Sequence, residues 1–536
     1  MVGIMSRDVG LPKGWATIAI GELGRWFGGG TPSKANEKFW QDGSIPWISP
    51  KDMKVLRVTD SEDHITPLAL EETNIGVFPA GTVLFVVRSG ILARTFPVAI
   101  SEVPATMNQD LKGIALSEGI AAAYLAYCMI GRENDVLKRC SKHGTTVASI
   151  DTNALHSYEI HLAPSPEQNR IVAKLEELFS DLDAGVAALK RAKANLKRYR
   201  AAVLKAAVEG KLTEQWRAEN PPKEPAAKLL ERILKERRKK WEQDQLAAYE
   251  ANGKQPPKNW RDKYQEPIGL DTADLPKLPE GWCWASVDQI LTYLRNGYFQ
   301  SPSKCGTGTP ILRINAVRPM RVDLSECRFL DEFKGPVQDY YIENGDLLFT
   351  RYNGSVDMLG VAGMVRGCTE NVLHPDKLIR VKLAIPQPLS AFVEIAANAG
   401  LSRKHMVGRA RTTAGQTGIS GTDIRQMPIP LAPLREQSIV VNEVSERLSE
   451  IEAAQQAIIK SLKRSARLRQ SILKQAFAGK LVPQDLADEP ASVLLQRIRS
   501  AAVGSDTIKN SRKSAGTIRR RTAATKEAKS LTNEVS

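Results

Sequence analysis

The chain has 536 residues, 42% of them hydrophobic, and a formal net charge of +15. At about 150 residues per domain this predicts three or four units. No apolar run approaches the ~18 residues of a membrane span, and no positive-then-apolar leader opens the chain, so a cytoplasmic protein is expected.

The last thirty residues carry +6 of the net charge, eight Lys/Arg against two Asp/Glu, leaving +9 for the body. A basic body suits a polyanionic partner such as nucleic acid. The six cysteines show no C-x-x-C spacing, so reduced structural thiols are expected rather than a metal site.

In chain order, the first phrase is "LPKGW" at Leu11–Trp15, followed by the strand signal "IPWIS" at Ile45–Ser49. A Gly-led apolar run, "GTVLFVVRSG", occupies Gly81–Gly90. "LFVVRSG", "LKGIAL" and "SYEIHL" read as strands, and "AAAYLAYCMI" at Ala121–Ile130 as a buried helix. "HLAPSPEQNRIV" at His161–Val172 then opens a long helix. Ser165-Pro166-Glu167-Gln168 is expected to form a capping box with Pro at the first helical position. Ile171, Leu175, Leu178, Leu182, Leu189, Leu196 and Val203 make a heptad seam, and Gly210 in "EGKL" is a natural stop. About 42 residues at ~1.5 Å each give a rod of roughly 60 Å.

After a charged connector the chain begins again. "LPEGW" stands at Leu278–Trp282, "TPILRIN" at Thr309–Asn315 and "GDLLFTRYNG" at Gly345–Gly354. Gly81 matches Gly345, and Phe85 matches Phe349. "DLLFTRYN", "GVAGMV" and "KLIRVKL" read as strands and Leu389–Ala397 as a helix. "PLAPLREQSIVV" at Pro430–Val441 opens a second long helix, with Val440, Val444, Ile451, Ile458, Leu462 and Ile472 on its seam and Gly479 at its end. Pro164, Glu167, Gln168, Leu204 and Gly210 each meet the same residue 269 positions later. "EPAAKLLERI" at Glu224–Ile233 is echoed by "EPASVLLQRI" at Glu489–Ile498. Echoes in one constant order identify a duplicated unit. The predicted fold is α/β: two tandem pseudo-symmetric α/β domains separated by two long helices that form an antiparallel coiled coil.

Known catalytic patterns do not fit. "NPP" at Asn220–Pro222 continues with Lys223 where the N-P-P-[YF] motif of amino-methyltransferases has an aromatic, and it lies in a charged connector. "FGGGTP" at Phe27–Pro32 lacks G-x-G-x-x-G spacing. Lys211 and Lys480 follow glycines at helix ends, not helix starts, so neither belongs to a phosphate-binding loop.

The repeated "LP.GW", the "P..EQ..I" entry to a long helix and its "GKL" exit closely resemble the specificity subunit of type I restriction–modification enzymes, over about Leu11 to Ile498. The resemblance implies target recognition domains at 11–163 and 278–432 and spacer helices at 164–212 and 433–481; the sequence pattern adds a charged connector at 213–277, a C-terminal helical segment at 482–503 and, for want of apolar periodicity, a basic disordered tail at 504–536. It implies that each domain reads one half of a bipartite double-stranded DNA site, held apart by the helices. The subunit is implied to be non-catalytic. Two methyltransferase subunits using S-adenosylmethionine would methylate adenine N6, and restriction subunits using ATP and Mg would cut unmodified DNA, a phage defence. Antiparallel rods would set the domains apart on the scale of a DNA turn, ~34 Å. The connector and the tail depart from the family's core pattern.

Base readout calls for Arg or Lys opposite guanine and Asn or Gln opposite adenine. The loops beside strand signals offer Lys34, Lys51, Arg88, Arg94, Asn108 and Gln109 in the first copy. The second offers Arg313, Asn315, Arg351, Asn353, Lys377, Arg403, Lys404 and Arg411. Arg88 and Arg351 occupy near-matching places. Glu167, Gln168 and Lys211, with their repeats Glu436, Gln437 and Lys480, are candidates for contacting methyltransferase subunits; helix capping is the alternative use of the same residues. The competing function is a stand-alone coiled-coil DNA-binding regulator. A fused methyltransferase would need a cofactor domain for which the repeats leave no room.

Overall fold

The structure, a computed structural model, describes residues 10–142, 147–302, 307–413 and 416–501. Cys305 and the basic tail expected over 504–536 lie outside the described residues. The chain divides into two compact units, Met1–Leu189 with Lys460–Ser536, and Lys190–Ile459.

In the first unit, Ala16–Ala19 pairs antiparallel with Glu159–Leu162, joining the beginning of the domain to its end. Its main sheet has the order Gly24–Gly28, Leu111–Leu116, Val83–Val86, Val98–Ser101, Arg57–Val58. The second unit repeats the plan. Cys283–Ser286 pairs with Pro428–Leu431, and Leu291–Asn296, Leu378–Leu383, Leu347–Thr350 and Ala362–Met364 form the main sheet in that order. Val83–Val86 and Leu347–Thr350 are buried on both faces, which is why both read as unbroken apolar runs. The helices Ala122–Gly131 and Leu389–Ala397 are apolar nearly all round and sit in the two cores.

The long helices span Ser165–Val208 and Leu434–Ala476, 44 and 43 residues rich in strong helix formers. In the first unit Arg469 of the second helix pairs with Asp183 of the first; in the second unit Arg200 lies 3.8 Å from Glu452. Rising from 183 to 200 on one helix goes with falling from 469 to 452 on the other, so the helices run antiparallel. The ends of the seam enter the domain cores: Ile171 and Leu175 in the first unit, Val203 in the second. The middle, Leu182, Leu189 and Leu196, is half-buried. Leu196 packs on the cluster holding Val444, Leu448 and Ile451 of the other helix.

The connector is folded. Ala226–Ala251 is a helix of 26 residues whose Ala226, Leu229 and Ile233 enter the second core. Beyond them Trp241 stacks on Trp260 and meets Tyr264 edge-on. The echo after the second helix does the same in the first unit: residues 491–501 are helical and bury Ala491, Leu494 and Leu495. The amide of Ala226 donates to the Gly281 carbonyl and that of Ala491 to the Gly14 carbonyl, each at 2.8 Å. Gly14 and Gly281 both have φ of +83°, so the turn that presents this acceptor needs glycine.

Candidate nucleic-acid interface

Each domain is fastened to a long helix by a buried indole–carboxylate hydrogen bond. Trp15 Nε1 donates to Glu167 Oε2 at 3.0 Å, and Trp282 Nε1 to Glu436 Oε2 at 2.8 Å. The neighbouring glutamines bridge helix and domain too. Gln168 accepts from the Ala121 amide through Oε1 and donates through Nε2 to the Ala163 carbonyl; Gln437 Nε2 donates to the Ala432 carbonyl. The expected capping box is therefore not formed at Gln168, whose amide is committed elsewhere. Glu167, Gln168, Glu436 and Gln437 are at most 2% exposed. Their side chains are turned inward and hold the domain to the helix.

The anchors differ in charge balance. Glu436 Oε1 accepts from Thr213 at 2.7 Å and from Arg217 at 2.6 Å. Glu167 Oε1 meets no donor among the described residues, and burial raises its pKa above the ordinary carboxylate value. At the helix exits Gly210 and Gly479 both have φ of +68°. The following amides, Lys211 and Lys480, donate back to Ala206 and Gln475 at 2.9 Å each. Both lysine side chains are exposed.

Just past Val83–Val86 and Leu347–Thr350 the chain pairs with a later segment, through a two-stranded ribbon in the second unit and through isolated bridges in the first. The ribbon is Arg411–Thr413 paired with Gln416–Gly418, and Tyr352 bridges to Gly418. In the first unit Ser141 bridges to Ile150, the Lys142 amide donates to Ser149, and Arg88 bridges to Ser149. A ribbon of this width fits a DNA major groove.

The main-chain bonds fix the equivalences here. The Val87 amide donates to the Asp110 carbonyl and the Arg351 amide to the Lys377 carbonyl, both at 2.8 Å. The Ile150 and Ile419 amides donate to the carbonyls of Val87 and Arg351, at 2.8 and 3.0 Å. Arg351 thus corresponds to buried Val87, and Arg88 to Tyr352. Arg88 and Arg351 are one residue out of register, so they cannot play the same part. The Arg88 side chain is 62% exposed, its Nε 3.9 Å from Asp110 Oδ1. The Arg351 guanidinium lies over the Tyr352 ring at 4.7 Å, and Lys377 Nζ over the same ring at 5.2 Å. Arg351, Lys377, exposed Arg411 and Asn353, whose amide donates to the Thr417 carbonyl, gather at the ribbon. Arg88 and Gln109 gather at the bridges of the first unit, where Gln109 accepts from Thr31.

Other candidates are committed elsewhere. Asn108 is 6% exposed and clamps a turn: it accepts from the Asp110 amide and donates to the Asp110 carboxylate. Arg403 donates to the carbonyls of Leu359, Val356 and Asp357, and burial lowers its pKa. Lys404 is exposed but lines, with Arg403, Lys205 and Trp284, a hollow of ≈ 500 Å³ away from the ribbon. Lys51 pairs with Asp63 and Glu62 at 2.9 and 3.2 Å, which raises its pKa. Arg313 pairs with Glu326 at 3.2 Å, and Asn315 lies beside it, exposed, after the small sheet of Thr309–Leu312 and Cys327–Leu330. Lys34 and Arg94 are exposed on loops. Asp110 and Tyr352 stand at the same strand ends as Arg88 and Arg351, and their sequence carries no base-reading signal because neither is a cation or an amide.

Comparison with known proteins agrees with the repeat. The family model described as "Type I restriction modification DNA specificity domain" matches residues 12–191. The chain is 32% identical over 379 residues to the Type I restriction enzyme EcoKI specificity subunit of Escherichia coli K12, covering 69% of each chain. It is 45% identical over 163 residues to the EcoR124I/EcoR124II specificity subunit of Escherichia coli, 30% of this chain and 40% of that one. It is 24% identical over 521 residues to the StySPI specificity subunit of Salmonella potsdam, 94% and 99% of the two chains. A solved chain from work on complex assembly and conformational transition of the type I R-M system superposes with a TM-score of 0.59 at 15% identity, over 88% of this chain and 99% of that one. It shares the fold.

Proposed function

Since the chain belongs to the specificity subunits of type I restriction enzymes, the non-catalytic component of such complexes, we propose that its two α/β domains read the two halves of one gapped DNA site. The observation that carries this is the matching pairing past equivalent strand ends in both units, bearing different side chains. Equal scaffolds with unequal reading surfaces give an asymmetric bipartite target. The antiparallel helices tie the two readers together and set the number of unread bases between them.

Further partners follow on the same reading. Two methyltransferase subunits dock on the subunit and use S-adenosylmethionine to methylate adenine N6; restriction subunits, with ATP and Mg, complete the complex in the cytoplasm. Among the described residues no helix is long and apolar enough to cross a membrane. The test is a map of N6-methyladenine across host DNA with and without this gene. Loss of one gapped, two-part motif supports the proposal and reports both half-sites. An unchanged map, with the methyltransferase expressed, rejects it in favour of a stand-alone DNA-binding regulator.

A further inference from the structure

These strand ends hold one cross-strand pair whose chemistry is exchanged between the copies. In the first unit it is Arg88 on the outgoing strand and Asp110 at the start of the returning one; the equivalent residues in the second are Tyr352 and Lys377. In both copies the two side chains meet, as an ion pair at 3.9 Å and as a cation over a ring at 5.2 Å. The cation therefore stands on opposite strands in the two copies. The first pair carries a carboxylate; the second has only the Tyr352 phenol, with Lys377 Nζ 3.5 Å from the neighbouring Asp376 carboxylate, and Arg351 adds a further cation on the same ring.

The side chains are placed for use. Arg88 is 62% exposed and Lys377 43%; Asp110, at 26%, is held by Asn108 Nδ2 at 3.3 Å. A weak, half-exposed pair gives up little when its members turn to another partner. An arginine and a carboxylate side by side match the two edges of one G·C pair, the guanidinium donating to guanine O6 and N7 and the carboxylate accepting from the cytosine N4 amine. A site where two cationic donors, Arg351 and Lys377, flank the ring matches a keto base, guanine or thymine. It repels the amine-bearing edges of adenine and cytosine, and the ring offers an apolar face to a thymine methyl.

We infer that Arg88–Asp110 and Tyr352–Lys377 are equivalent base-reading pairs, the first selecting a G·C pair and the second a keto base, and that they make the two half-sites unequal. The inference rests on the reading of the two domains as DNA readers. The test uses the assembled methyltransferase complex on duplex libraries randomised through each half-site, with methylation as the readout. Asp110→Asn is isosteric but adds a donor. It should cut the preference for cytosine at one position of one half-site about tenfold or more, leaving the other half-site's profile intact as a control for folding. Lys377→Glu should turn the preference at one position of the other half-site from keto to amino bases. An equal loss at every position, or an unchanged profile, in both variants would overturn the inference. A wild-type complex that shows no two-part motif would instead overturn the reading on which it rests.

Discussion

Trp15 donates its indole N–H to Glu167, 152 residues further along the chain, and this is the only hydrogen bond the Glu167 carboxylate receives among the described residues. The repeat places Trp282 on Glu436 in the same way, but there Thr213 and Arg217 also hold the carboxylate. The repeated "GW" and "EQ" of the sequence are two ends of one bond. The bond recurs because each domain must be locked to its helix at a fixed angle.

Trp15→Phe should therefore destabilise the first unit more than Trp282→Phe destabilises the second. Each change keeps most of the aromatic packing, against Tyr124 and Phe392 respectively. Only the first leaves a buried carboxylate with no donor, a loss of about 1–3 kcal/mol. Chemical denaturation of the two variants compares them directly, and equal losses would show that packing, not the hydrogen bond, dominates.

Arg217→Ala removes the cation facing Glu436, two side chains 16% and 2% exposed. Leaving the partner charge buried should cost roughly 3–5 kcal/mol. The double variant Arg217→Ala with Glu436→Gln should recover a large part of that loss, since the amide carries no charge. Thermal unfolding of the single and double variants decides it. No recovery in the double variant would mean that the Arg217 stem, rather than its charge, matters.

Much of this was legible in the sequence. The unbroken apolar runs at Val83–Val86 and Leu347–Thr350, the seams and the helix stops at Gly210 and Gly479 all lie where the pattern put them, because burial and helix geometry impose period and glycine at those places. The capping box did not form at Gln168, since a domain carbonyl and the Ala121 amide outcompete the helix's own first turn. The site was harder. Arg88 and Arg351 lie near one another in the two copies, but Arg88 is three residues past Phe85 and Arg351 only two past Phe349, and the main-chain bonds hold that one-residue offset. A slip of one residue exchanges the faces of a strand. Asn108 resembles a base reader in composition, but its turn uses it up.

His374 makes stability depend on pH. It is 0% exposed, with Nδ1 2.7 Å from the Tyr340 carbonyl oxygen, and burial pushes its pKa down from 6.5 to about 4. Between those values the unfolded chain binds a proton that the folded chain refuses. Stability is therefore complete above 6.5 and falls as the pH drops towards 4, by about 1.4 kcal/mol per unit where the difference is a full proton. His374→Asn keeps a donor for Tyr340 and should flatten the fall of the denaturation midpoint between pH 6.5 and 4.5. Some slope persists from His405, which burial also lowers. A slope unchanged by the substitution would mean that the imidazole takes up its proton in the folded state.

With Glu167, Gln168, Glu436 and Gln437 buried, Lys211 and Lys480 are the members of the repeated helix ends left facing solvent. Each stands just past a left-handed glycine, at the negative end of a long helix, where its side chain can reach an acidic surface on a partner. Lys211 is 67% exposed and its contact with Glu209, two residues away, is local. Reversing either charge should cost about 1 kcal/mol or less of folding stability, the scale of an exposed charge at a helix end. If each copy docks one methyltransferase subunit, Lys480→Glu and Lys211→Glu should each lower the number of bound subunits from two to one, and the double variant should bind none at moderate salt. Sedimentation of the complexes counts them. Two bound subunits in every variant would move the docking surface away from the helix exits, and a loss of both in a single variant would show that the two subunits bind cooperatively rather than one per repeat.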